Sequence, residues 1–478
     1  MNPKKHILLN AFDMNCVGHI HHGLWTHPRD RSSEYRRIDY WMDLARTLER
    51  GLFDGLFLAD VAGAYDVYQG GIEVTAREAV QLPVNDPTLL VPAMAAVTRH
   101  LGFGVTVNLS YEPPYLLARR FSTLDHLTDG RIGWNIVTGY LDSAARAMGQ
   151  RAQLPHDERY DRADEYLDVL YRLWEDSWEE GAVRRDRAAR VYADPARIHP
   201  VVHHGRHLDV EGVHLCEPSR QRTPVLWQAG SSGRGQRFAA RHAECVFIAA
   251  TDRAAARRTV QSLRAALVEA GRRPEDVKVF LAVAVVVAAT DAEARDRLAD
   301  YRDHASREAG LAHFAAGVGV DFARYGLDDP IPFEAGNAIQ SHAQAAGAAG
   351  WTRRRMLELF ALGSRYPVLA GDAPRVADEL QSWVEETGVD GFNLARTVMP
   401  ECVEEVVRHL VPELQSRGVY KTSYAQGSLR AKLFGEGDRL PGTHAARRGP
   451  ASGLSPSPEP GTPETRGRAA GRTPGEQP

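Results

Sequence analysis

The chain has 478 residues, of which 43% are hydrophobic and 25% charged, with a net charge of −4. This is an ordinary globular composition, long enough for one large domain or two to three average ones. The balance excludes a bulk basic field for nucleic acid or anionic lipid. The four cysteines, Cys16, Cys216, Cys245 and Cys402, form no C-x-x-C pair, which argues against a structural zinc site and a disulfide framework.

The N-terminal apolar run, Ile7-Leu-Leu, is too short for a signal-peptide core, and no apolar run approaches a membrane span. A soluble cytoplasmic protein is the expectation. Residues 7–12 read as a first strand. Residues 34–50 carry Ile38, Trp41, Leu44, Ala45 and Leu48 at helical spacing, closed by Gly51. A second strand, 52–58, ends at Asp60. Asp86 caps a helix expected to run to His100, with Pro87 at its first position. Strand three spans 101–108, a helix 113–127, and strand four 131–137. Later strands are expected at 224–228, 244–249, 278–287 and 390–395. Helices fit 252–270, 290–306, 374–387 and 402–410.

Eight strands alternating with helices point to a (β/α)₈ TIM barrel with insertions, although a doubly wound sheet also alternates. Residues 178–222 read as loops and short strands. Residues 307–360, rich in Ala and Gly, read as a helical insertion or lid. Residues 441–478 hold 8 Pro and 7 Gly and no aromatic residue, so a disordered tail is expected after a domain spanning 1–440.

A barrel of this kind places its site at the C-terminal strand ends. That rule selects Asp60, Thr106, Asn108 and Asn135 to Thr138, together with the loop Gly230–Gly235. The loop links a strand to a helix start, where converging N–H groups and the helix dipole favour an anion. Any one of these residues taken singly could equally be a local cap. His156 and Tyr160 are four apart at a helix start, heading the stripe Ala163, Leu167, Leu170 and Trp174. They are either donors to an anion or amphipathic residues at the rim of the core. His19, His21, His22 and His27 cluster after strand one without any metal-binding spacing, so no metal is expected. The 230–235 loop matches neither G-x-S-x-G nor the dinucleotide fingerprint, and no Walker A sequence occurs.

The segments Leu48–Asp60, Thr123–Arg131 and Trp134–Thr138 resemble the bacterial-luciferase-like flavin monooxygenases. Residues His156–Tyr166 and Gln228–Gly235 are similar to one branch of that family. The branch includes nitrilotriacetate monooxygenase, dibenzothiophene-sulfone monooxygenase and the pristinamycin IIA synthase A subunit. Asp390–Leu394 and Val411–Gly418 also match, so the resemblance covers about residues 5–435. It implies a TIM barrel that takes FMN as FMNH₂ from a separate NAD(P)H:FMN reductase. With O₂ as co-substrate, it would oxidise a small organic molecule by C–N or C–S cleavage or natural-product oxidation. It further implies a homodimer. By motif position it places Asp60, Thr106, His156, Tyr160 and Ser231 on FMN, with Tyr160 and the Ser231 loop at its phosphate and Asn135 near the ring. Apolar Phe57 and Phe247 would shield the reacting centre, and plain core packing is the other reading of both. His22 is a candidate proton donor, with His313 in the lid. A flavin- or deazaflavin-dependent oxidoreductase on the same barrel, and a non-catalytic flavin-binding subunit, are the alternatives.

Overall fold

The computed structural model describes residues 5–230, 232–332, 339, 350–360, 362 and 366–447. Eight parallel strands follow one another around a ring: β1 (Leu8–Met14), β2 (Gly55–Ala59), β3 (Gly102–Asn108), β4 (Ile132–Val137), β5 (Val225–Gln228), β6 (Cys245–Ile248), β7 (Lys278–Val287) and β8 (Gly391–Ala395). Each pairs with the next, and β8 returns to β1 with Leu8 opposite Gly391, so the sheet closes. This is a (β/α)₈ TIM barrel, as the strand and helix alternation predicts. The longer helices are α1 (Ile38–Arg50), α2 (Pro114–Thr128), α3 (His156–Tyr171), α4 (Gly233–His242), α5 (Arg253–Glu269), α6 (Asp291–His304), α7 (Arg307–Val318) and α8 (Ala373–Thr387).

Strand residues alternate between two apolar environments. Leu9, Leu56, Phe103, Val105 and Trp134 face the helices, whereas Phe12, Phe57, Trp227 and Phe280 fill the interior. With both faces covered, the strands read as nearly continuous apolar runs. The interior fits because β3 and β4 present glycines to the large rings. A Cβ on Gly133 would lie 2.9 Å from Trp227 Nε1 and 3.0 Å from Val225 O. At the N-terminal end, the short helix Leu429–Phe434 plugs the barrel, and its Leu429 fills the space a Cβ on Gly102 would need. Arg430 anchors the plug through a fully buried ion pair with Glu244 at 2.6 Å, donating also to the carbonyls of Thr223 and Pro224.

Several elements differ from the sequence reading. The helix expected over 87–100 is a 3₁₀ turn, Pro87–Leu90, and a short helix, Val91–Ala96. Arg131 explains the early stop: its guanidinium collects the carbonyls of Ala95, Thr98 and Leu101 at 3.1–3.2 Å, satisfying the free helix end. The short strands expected within 178–222 are present, as two hairpins, Val183–Asp186 with Val191–Ala193 and Val201–His204 with Asp209–Gly212. A ninth strand, Val368–Gly371, was not anticipated; it pairs with the outer end of β7. In the 307–360 segment, α7 builds a second apolar core with Tyr68, Val74, Phe322 and Met356. Residues 333–338 and 340–349 of that segment lie outside the described residues. The packed chain continues seven residues beyond 440. His444 is fully buried and its Nε2 is 2.9 Å from the carbonyl of His242. Average composition concealed that anchor; residues 448–478 lie outside the described residues.

The glycine–tryptophan contact predicts a specific cost. Gly133→Val forces Trp227 out of its place and lowers unfolding free energy by roughly 1–3 kcal/mol, read as a reduced urea midpoint with an unchanged slope.

Candidate active site at the C-terminal mouth

The inward-facing residue above Gly104 on β3 is Thr106, and the one above Gly133 on β4 is Asn135. The two are register partners, and Asn135 Nδ2 donates to Thr106 Oγ1 at 2.8 Å. Asn135 Oδ1 is buried with no hydrogen-bond partner among the described residues, an acceptor left for something else. Asp60, one residue past β2, is largely buried. Its carboxyl is pushed up to about 7, first by burial and then by Asp86 and Glu112, against a hydrogen bond from the Val61 amide.

The floor of the mouth is aromatic. Phe12, Phe57 and Phe247 meet edge to face with ring centroids 4.8–5.6 Å apart, and Trp227 adds a contact to Phe57 at 5.3 Å. Phe57 and Phe247 therefore belong to one packed aromatic cluster of the barrel interior.

Beyond β1, the chain runs through His19–His27. Its placement depends on Gly23, whose φ is +89° and whose Cβ would lie 2.4 Å from the Ser306 nitrogen. The Ser306 amide donates to the His22 carbonyl at 2.8 Å, docking this loop at the α6–α7 junction. That docking brings His22 Nε2 within 3.0 Å of His313 Nδ1 on α7. Tyr65 stacks on His313 at 4.9 Å, donates to Gln81 Oε1 at 2.5 Å, and its hydroxyl lies 3.1 Å from that of Tyr140. Burial first, then His21 and Arg396, push His22 down to about 3, so the imidazole is neutral near pH 7.

Arg396, just past β8, pairs with buried Asp13 at 3.0 Å and donates to the carbonyls of Cys16 and Val17. Burial raises Asp13 to about 6, with Arg396 opposing. Asp13, Arg396, Tyr65, Gln81 and Tyr140 were not singled out from the sequence. Arg396 obeyed the strand-end rule and could have been found by it; Tyr65 and Gln81 sit in a long loop whose path no pattern announces.

The loop from which the sequence predicts an anion cradle lies beside β5. Ser232 caps α4, accepting from the Gly235 amide at 3.0 Å. His156 Nε2 is 3.3 Å from Ser232 Oγ, and the His156 and Tyr160 rings meet edge to face at 5.3 Å. Tyr160 is buried, and a Cβ on Gly235 would lie 2.9 Å from its hydroxyl, so only glycine lets the loop approach. Arg234 lies over the Tyr160 ring at 5.4 Å and bridges Asp161 and Asp164 at 2.9 and 2.5 Å. Ser231 lies outside the described residues.

The sequence-derived residues thus form separate contacting groups: Thr106 with Asn135, Phe57 with Phe247, and His156 with Tyr160. His22 contacts His313, and Asp60 accepts a backbone hydrogen bond from Val61. From the histidine cluster, His27 gathers with Asp300 and His304 at the outer side of α6, their ligand-type atoms within 4.8 Å of one another. His27 Nε2 is already hydrogen-bonded to Asp300 at 2.9 Å.

Residues 19–391 match the sequence profile of the luciferase-like monooxygenases. A dimethyl-sulfide monooxygenase of Hyphomicrobium sulfonivorans is 47% identical, over 93% of this chain and 93% of its own. A long-chain alkane monooxygenase of Geobacillus thermodenitrificans is also 47% identical, over 93% of this chain and 98% of its own. A riboflavin lyase, solved with modified FMN and riboflavin, superposes with a TM-score of 0.88 at 33% identity, covering 92% of this chain and 99% of that one. The closed barrel, the polar strand ends at its mouth and this likeness over more than nine-tenths of the chain agree: the protein is an enzyme belonging to the luciferase-like monooxygenase family.

Proposed function

We propose that the chain is the oxygenase component of a two-component system, receiving FMNH₂ from a separate NAD(P)H:FMN reductase and using O₂ to oxidise a small apolar molecule of the sulfide or alkane type. The observation that carries the reading is the pairing, at one mouth, of an anion cradle with an unpartnered buried acceptor. The cradle of His156, Tyr160 and the Ser232 end of α4 suits a phosphate tail, and Ser231 lies in the same loop. Asn135 Oδ1 suits a ring N–H, with Thr106 holding its amide in orientation. Asp60 would meet the cofactor from β2. Reduced flavin, when bound, supplies the activation of O₂.

The protein's own part is positioning and exclusion of water. Phe57 and Phe247 wall the reacting region with apolar surface. His22, held neutral, shares one proton with His313 through the Nε2–Nδ1 hydrogen bond, which orients both imidazoles. The substrate class follows from the same surfaces and from the relatives' named substrates. The wall is aromatic, His22 is neutral, and the Arg396 guanidinium is answered by Asp13, so an apolar molecule desolvates more cheaply there than a polycarboxylate. The deepest part of the mouth offers no uncompensated cation among the described residues named above. Assembly as a homodimer and residence in the cytoplasm remain part of this proposal.

The reading is tested in a reductase-coupled assay under air, with dialkyl sulfides and alkanes as substrates and products scored by mass spectrometry. One added oxygen atom per NADH consumed is expected, and His22→Ala lowers product per NADH. NADH consumption without any reductase sinks the two-component reading. Tyr160→Phe removes one donor to the phosphate tail and weakens FMN binding about tenfold, followed by quenching of flavin fluorescence. Asp60 gives a pH signature. Its folded-state carboxyl titrates near 7, well above its unfolded value, so the folded protein holds a proton the unfolded chain releases. Stability therefore falls as pH rises from about 4 to about 7. Asp60→Asn raises the melting temperature at pH 8 and leaves it unchanged at pH 4.

A further inference from the structure

The opposite, N-terminal end of the barrel holds a second cavity of about 390 Å³, lined by Lys5, Lys278, Lys421 and Lys432 and by Asp54 and Asp390. The two carboxylates are already engaged. Lys5 lies 2.9 Å from Asp390, and Arg264 lies 2.8 Å from it. Asp390 also accepts from the Val279 amide at 2.8 Å. Lys421 lies 2.8 Å from Asp54, whose other oxygen accepts from the Leu9 amide at 2.8 Å.

Lys278 and Lys432 have no such partner: no ion pair of either is found among the described residues. Lys278 Nζ rests over the Phe434 ring at 5.5 Å. Lys432 donates to the His100 carbonyl at 3.0 Å and lies 5.7 Å from the Tyr424 ring. Four lysines less two aspartates leave two positive charges on the lining. Burial first, then Arg131, pull the Lys432 ammonium down to about 8, with Glu49 partly opposing. This is a cation held away from water with too little counter-charge.

We infer that this cavity binds a phosphate-type dianion, as the free ion or as the phosphoryl end of a small metabolite. A charge of −2 neutralises the lining, and ammonium groups are compact donors suited to phosphate oxygens. The volume is that of a small-ligand site. In this fold the N-terminal face carries stability and the C-terminal face carries chemistry. The ligand would therefore act from a distance, tying β7 through Lys278 to the plug helix through Lys432.

Isothermal titration of the full-length protein with inorganic phosphate, pyrophosphate and phenyl phosphate tests this, at fixed ionic strength against chloride. Saturable binding of one equivalent is expected. It weakens at least about tenfold in Lys278→Gln/Lys432→Gln and is unchanged in Tyr160→Phe. At pH 8 the wild-type heat depends on the buffer's ionisation enthalpy, because binding reprotonates Lys432; Lys432→Gln loses that dependence. Phenyl phosphate binding tighter than phosphate assigns the site to a metabolite, and equal binding assigns it to the free ion. No saturable binding, or equal affinity in the lysine variant, overturns the inference. So does loss in Tyr160→Phe alone, which would place the anion in the loop beside α4. Should the double variant fold poorly, the pyrophosphate-induced rise in melting temperature, compared between wild type and Lys278→Gln alone, gives the same decision.

Discussion

The packing of Trp227 against Gly104 and Gly133 is the contact on which the rest of this barrel depends. An eight-stranded barrel leaves room only for side chains that interlock. Here one indole takes the space that two side chains on β3 and β4 would otherwise fill. Because those positions are glycine, the ring can lie across the axis and support Phe57 and Phe280 on either side. The level of that aromatic layer fixes the depth of the mouth. Thr106 and Asn135 stand one inward position above the glycines, so they emerge where the filled interior ends. The site is thus a consequence of where the packing stops.

The mouth is polar without being strongly charged. Its one guanidinium among the residues described at β8, Arg396, is matched by Asp13 and tied to two carbonyls of the following loop. An isolated buried charge would be far costlier than this pair. Arg396 also contributes to keeping His19, His21 and His22 uncharged, since a second cation nearby is disfavoured. Neutral imidazoles can each offer one donor and one acceptor. The neutral His22 ring therefore needs no counter-ion where it meets His313.

Much of the scaffold was readable because its physics is local and periodic. Apolar runs of strand length between amphipathic helices located all eight barrel strands, with β7 matching at both ends. The meeting of His156 and Tyr160 was readable for a similar reason, since four-residue spacing puts both on one helix face. The sequence reading named Ser231 in the neighbouring loop, whereas the cap of α4 is Ser232. What was not readable depends on long-range docking. Arg131 ending the helix at Ala96, His444 under α4, and Tyr65 on His313 are contacts between segments tens to hundreds of positions apart. Composition averages also mislead at their edges, as residues 441–447 show, where the buried His444 packs against the end of α4.

The two ends of the barrel solve the same electrostatic problem in different ways. At the C-terminal end Asp13 answers Arg396 and two aspartates answer Arg234, while a raised carboxyl keeps Asp60 near its neutral form. At the N-terminal end the carboxylates are spent on Lys5, Lys421 and Arg264, and two ammonium groups are left facing a cavity. A protein rarely keeps uncompensated cations beside a cavity, because neutralising them by substitution or pairing is favourable. On the proposed function, the aromatic wall and neutral His22 at the mouth favour an apolar substrate. At the base the unmatched charge is itself the feature that selects a ligand. The same barrel therefore separates chemistry that needs a dry, uncharged enclosure from recognition that needs net positive charge, with the aromatic layer around Trp227 between them.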